Sequence, residues 1–184
     1  VHRCRHIQKS EEESMKKSLV ITLIGDDRPG IVETVSNILN AHQGEWVESH
    51  MSNLVGKFAG ILHVQVPADH VESFKQDIRS EKTSFLSIRV EEVITDAPRL
   101  GPTYRLQLVG QDHPGIVYRI SSALKDYGAA VEDLDTEVVD ASMAGGQLFK
   151  ANMVISIGED SSVETLRDVL EDLANELIVD IDLE

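Results

Sequence analysis

Apolar positions along the chain change period in a fixed order, and the order occurs twice. Residues 19–24 form a short apolar run suited to a buried strand. Ile31, Val32, Val35, Ile38 and Leu39 then follow at helical spacing. Residues 46–55 and 58–66 read as two strands flanking a short turn at Gly56-Lys57. Val71, Phe74 and Ile78 mark a second helix, and Leu86, Ile88 and Val90 alternate with polar residues as a last strand. The second half gives a strand at 104–109, then Ile116, Val117, Ile120, Ala123 and Leu124 on a helix. Strands at 131–139 and 148–157 flank a wider loop containing Gly145-Gly146. Phe149, Ala151, Met153, Ile155 and Ile157 share one face, predicted to turn toward the helices. Val163, Leu166, Leu170 and Leu173 make the last helix, and Leu177, Val179, Ile181 and Leu183 the last strand.

Each half therefore reads βαββαβ, and the pattern predicts an α+β fold of two tandem ferredoxin-like sandwiches with antiparallel sheets. The boundaries expected are a first unit at 18–94, a linker at 95–103 containing Pro98, Gly101 and Pro102, and a second unit at 104–184. Residues 1–17 lack apolar periodicity and are set apart as an extension, disordered or an alternative start ahead of Met15. The first helices are expected to end near Gln43-Gly44 and at Gly128, where glycine accepts the left-handed conformation.

The duplication is sharpest at the first strand-to-helix junction. Residues 25–32 read GDDRPGIV and residues 110–117 read GQDHPGIV, identical at six of eight positions. Ser36 and Ser121, and Leu39 and Leu124, repeat at the same offset. Pro29 and Pro114 are expected near the first helical turn, where a missing N–H costs nothing.

Composition narrows the function. Hydrophobic residues make up 41% of the 184 and charged residues 27%, enough apolar content for a packed core. Lys and Arg number 17 against 32 Asp and Glu, a net charge of −15, so the protein's field opposes a phosphate backbone and direct nucleic-acid binding is not expected. Residues 97–184 carry −11 of that charge and residues 18–96 carry −6, which sets the two units apart. Cys4 is the one cysteine, so no internal disulfide can form, and no apolar stretch is long enough for a bilayer. A cytoplasmic protein without membrane attachment is the expectation.

A βαββαβ unit whose first strand-to-helix loop reads GxDxPGIV resembles the ACT domain, and the resemblance covers residues 18–184 in two copies. It implies a regulatory module that binds amino acids or other small metabolites across an interface between modules. A chain made of two such modules is similar to freestanding repressors that bind no DNA themselves. These engage a LysR-type transcription activator, with glycine as the signal for control of glycine cleavage genes. The resemblance thus implies a small amino acid, glycine first, and a LysR-type activator as partners, and no cofactor. Exposed sheet faces make a homo-oligomer plausible as well.

Carried onto this chain, the loop residues implied in ligand binding are Asp27, Arg28, Pro29, Gly30 and Ile31 in the first copy and Asp112, His113, Pro114, Gly115 and Ile116 in the second. The chemistry is suitable. A helix start presents unpaired N–H groups and partial positive charge to a carboxylate. Asp27 or Asp112 can accept from an α-ammonium group, and Gly30 and Gly115 lack a Cβ that would keep a ligand or a neighbouring chain off the backbone. Arg28 can clamp a carboxylate through two parallel bonds, whereas His113 does so only when protonated, so the first loop is expected to be the stronger binder. A purely structural account stands beside this one: Asp as N-cap, Pro preorganised for helix, Gly relieving packing.

Other constellations are weaker. A two-residue turn at Gly56-Lys57 would place His50 opposite His63, half of a zinc set that Glu48 would have to extend, and an accidental surface pair is the plainer account. His2, Cys4 and His6 alternate but lie outside the folded units. Asp133, Asp135 and Glu137 share one strand face, available to a basic partner or simply to solvent. No GxSxG, GxxxxGK or HExxH pattern occurs, so no catalytic or metal residue is assigned and an enzyme is not expected. The rival readings are a small metal-dependent enzyme using His50 and His63 and a ligand-free dimerisation module.

Overall fold

The computed structural model describes residues 15–81, 86–93, 101–141 and 146–184. The expected extension apart from its last residues, most of the expected linker and the Gly145 part of the second hairpin lie outside these. The chain divides into two compact units, residues 1–96 and 97–184.

The first unit runs β1 (Lys16–Asp26), α1 (Ile31–Ala41), β2 (Glu45–Leu54), β3 (Lys57–Pro67), α2 (Val71–Ser80) and β4 (Leu86–Glu92). The second runs β5 (Thr103–Gln111), α3 (Ile116–Tyr127), β6 (Ala130–Asp140), β7 (Gln147–Ser156), α4 (Val163–Leu177) and β8 (Val179–Leu183). Each sheet is four-stranded and antiparallel, ordered β2-β3-β1-β4 and β6-β7-β5-β8. These are the two tandem ferredoxin-like sandwiches of the α+β class that the periodicity predicts.

The helices cover one face of each sheet because the alternation in the strands and the helical stripe meet there. Leu19, Ile21 and Leu23 of β1 and Leu62, Val64 and Val66 of β3 are buried against Ile31, Val35 and Leu39 of α1 and Val71, Phe74 and Ile78 of α2. In the second unit Leu106, Leu108, Ala151, Met153 and Ile155 meet Ile116, Ile120, Leu124, Leu166 and Leu170. A fully buried side chain of this size contributes roughly 1.5–3 kcal/mol, so these two clusters supply most of what holds each unit.

Local details differ from the sequence reading; Leu177, expected in the last strand, is instead the last residue of α4, and β8 begins at Val179. β1 takes in Lys16 and Lys17, opposite Pro67 and Val66, where the extension was expected to run. The left-handed residue after α1 is Gln43 (φ 55°), not Gly44. Gly44 has a steric role instead, because a Cβ there would lie 2.2 Å from Leu39 Cδ1. The helices begin at Ile31 and Ile116, so Pro29 and Pro114 stand before the caps and not in the first turn. Finally, the first hairpin turns at Val55-Gly56, with Leu54 opposite Lys57. Both turn residues have positive φ, 50° and 76°, the pairing a type I′ turn requires, and glycine meets that demand at the second central position. Among the described residues no helix is long and apolar enough to cross a membrane.

Candidate functional site

The loop between β1 and α1 is shaped by one glycine. Gly30 caps α1 at φ 99° and ψ −5°, the values of the third residue of a type II turn, with Pro29 in the position before it where proline is favoured. A Cβ on Gly30 would meet nothing within 4 Å, so glycine is required here by conformation and not by packing. No side chain caps the helix, and its first internal bond is donated by the Thr34 amide to the Gly30 carbonyl at 2.9 Å. The amides ahead of Thr34 are thus left to face outward. Gly115 repeats this at φ 97° and ψ −1°, also without a side-chain cap, and Arg119 N bonds Gly115 O at 3.0 Å. Asp27 and Asp112 are therefore not N-caps, and the structural account that made them so is corrected.

The first loop borders a cavity of about 300 Å³ lined by Asp27, Arg28, Gly30, Ile31, Val32, Glu33 and Phe58. Four of the five first-copy residues named from the sequence are among them. Val32 explains itself here: it belongs to the apolar stripe of α1, yet is 44% exposed because it forms cavity wall and not core. Asp27 is held twice by the first hairpin. Its amide donates to Gly56 O at 3.0 Å, and its carboxylate accepts from Asn53 Nδ2 at 2.5 Å. Neighbouring Asp26 bonds the Lys57 ammonium, which holds the Asp26 carboxyl below the ordinary carboxylate value, while Arg28 Nη2 lies 4.0 Å away from the same carboxylate. The loop thus sets anionic Asp27 and cationic Arg28 beside a helix start that favours a carboxylate.

The second loop keeps the backbone and changes the side chains. Asp112 N donates to Gln147 O at 2.8 Å, the counterpart of the Asp27 tie. His113 folds back on its own unit, with Nε2 3.4 Å from the Leu177 carbonyl and Nδ1 3.2 Å from that of Pro114. Arg119 pairs with Glu176 at 2.5 Å, joining α3 to α4. Gly110 is packed so tightly that a Cβ would fall 2.2 Å from Val179 Cγ1.

Asn53, Glu33 and Phe58 were not singled out from the sequence, and Val32 was read only as a helix position. The signal for Asn53 was available: the offset that aligns the two motifs also aligns Asn53 with Val138, one polar and one apolar residue at the end of equivalent strands. Asn53 stands opposite Phe58 in the sheet as Val138 stands opposite Phe149.

The turn position decides the histidine pair. With Leu54 opposite Lys57, His50 faces Ile61 and His63 faces Glu48, so the expected His50–His63 juxtaposition is not formed. Among the described residues no three His, Cys, Asp or Glu side chains gather as a metal set. Asp133, Asp135 and Glu137 do share a face, opposite Val154, Asn152 and Lys150, and the first two border a shallow depression of about 240 Å³ with Arg105 and Gln107.

Two βαββαβ sandwiches, each opening its first helix on a Pro-Gly turn, define a tandem ferredoxin-like protein. The chain belongs to the ACT domain family, whose model matches residues 17–91 and 106–184. It is 37% identical over 75 residues to the UPF0237 protein MK1213 of Methanopyrus kandleri, a match covering 40% of this chain and 77% of that protein. Its structure is similar to that of an unknown protein from Galdieria sulphuraria, with a TM-score of 0.83 and 28% identity over 92% of this chain and 98% of the other. It also shares its fold with a protein provisionally described as a glycine cleavage system transcriptional repressor, with a TM-score of 0.67 and 15% identity over 93% and 98% of the two chains.

Proposed function

We propose that this protein is an amino-acid sensor that regulates transcription indirectly, through a protein partner, with glycine as the first candidate signal and a LysR-type activator as the partner. The observation that carries the reading is the cavity at the start of α1, where Asp27, Arg28 and the outward-facing amides offer separate handles for ammonium and carboxylate. Family membership supports a regulatory role, and the net charge of −15 favours a protein partner over DNA. Glycine, the activator, repression of glycine cleavage genes, a cytoplasmic setting and a homo-oligomer rest on the resemblance to freestanding double-module repressors. Regulation requires that the ligand bind two states of the protein unequally, since equal binding shifts nothing.

Thermal unfolding with a panel of amino acids tests the sensing step. A ligand that binds only the folded state stabilises by about 2.7 kcal/mol at a hundredfold excess over its Kd. A midpoint unmoved by every amino acid at millimolar concentration would leave a ligand-free module as the better account. Co-purification with a LysR-type activator, weakened by glycine, is the expected partner result, and tight binding to bare promoter DNA contradicts it.

A further inference from the structure

The two loops share a backbone but not the group that holds their aspartate. In the first unit Asn53, exposed at the end of β2, donates to Asp27 Oδ2 at 2.5 Å. In the second unit Val138 takes the same register position and has no donor to offer Asp112. The cavity beside the first loop is lined by the aspartate that Asn53 holds, whereas His113 of the second loop is spent on the carbonyl that ends α4. We propose that Asn53 is a positioning residue for ligand binding: it fixes the Asp27 carboxylate so that its other oxygen receives the ligand's ammonium, and it thereby confines amino-acid recognition to the first unit. This rests on the amino-acid-sensing reading above. The physical reason is preorganisation, because a carboxylate already oriented by one amide loses less freedom when it accepts a second donor.

The split between the ligand's two charges supplies the test. Asn53 acts through Asp27 on the ammonium, so it contributes nothing to the carboxylate end. Affinities of the full chain for glycine, alanine and valine, and for acetate, propionate and isovalerate, which keep the carboxylate and lack the amine, are measured by NMR titration. Asn53→Val, which installs the residue of the second unit at an exposed position, is expected to weaken the bound amino acids about tenfold and leave the amine-free acids unchanged. Asn53→Asp, which sets two carboxylates face to face, is expected to weaken the amino acids further. Val138→Ala is expected to change neither. Equal loss for amino acids and amine-free acids in Asn53→Val would mean a merely structural role and overturn the proposal, as would unchanged affinity for both. If the unaltered chain binds none of the amino acids, the sensing reading falls and takes this inference with it. Unfolding midpoints of both Asn53 variants, compared with the unaltered chain, identify any loss caused by misfolding. Should Asn53→Val misfold, Asp27→Asn replaces it, with the same expected split between the two ligand series.

Discussion

His63 lies directly across from Glu48, and its Nε2 is buried without a hydrogen-bond partner among the described residues. An unsatisfied buried polar atom costs free energy that an apolar side chain of similar size does not. His63→Leu is therefore expected to stabilise the first unit by about 1 kcal/mol in urea unfolding. His50→Leu, at an exposed position, should lie within about 0.5 kcal/mol of the unaltered chain. A clear loss of stability in His63→Leu would show that the imidazole has a partner after all.

Gly30 and Gly115 carry the same positive φ with open space around them, so alanine is penalised by backbone conformation alone. Each Gly→Ala change should cost about 1 kcal/mol, and the two costs should match. Unequal costs would indicate that one loop relaxes out of the left-handed conformation.

Gly110 differs in kind. Its φ lies outside the left-handed region, yet an added methyl group would collide with Val179. Gly110→Ala is expected to cost about 1–3 kcal/mol from overpacking, and Val179→Ala in the same chain should recover part of that loss. A double-mutant cycle reads the coupling; strict additivity would refute it.

Acid unfolding should involve Glu92. Its carboxylate bonds Lys75 and Lys17, and the bond from Lys75 contributes most to holding its pKa below the ordinary value of 4.5. A carboxyl depressed in the folded state adds stability that is present above its unfolded value and lost as pH falls through the folded one. Midpoints followed as the solution is made progressively more acidic should fall less steeply for Glu92→Gln than for the unaltered chain. Parallel curves would remove Glu92 from the account.

Arg28 and His113 occupy matching places with different attachments. If the first loop receives the ligand carboxylate, Arg28→Ala should weaken amino-acid binding by about tenfold, the value of one charge-assisted bond. His113→Ala should leave affinity unchanged and lower stability slightly, since its contacts are with its own unit. The reverse order of effects would exchange the roles of the loops.

The fold was legible because burial is written along the chain as a period. Ile31, Val35 and Leu39 are buried as their spacing predicts, and Phe149, Ala151, Met153 and Ile155 share the covered face. Sheet face survives a small error in turn position, but cross-strand partners do not. Placing the turn at Gly56-Lys57 instead of Val55-Gly56 kept His50 and His63 on one side of the sheet and gave both the wrong neighbours. Val55 hid the true turn, because a β-branched residue at φ 50° runs against its preference. Gln43 hid the end of α1 in the same way, taking the conformation expected of Gly44. The candidate site was legible as a motif but not as a construction. Asn53 and Asp27 are separated by 26 positions, and only the strand register shows that they meet.

The bond from the Asp27 amide to Gly56 ties the loop to the tip of a hairpin whose outer strand, β2, is an edge of its sheet. The aspartate is thereby joined to a border where another polypeptide could add itself to the sheet, by a route that skirts the hydrophobic interior.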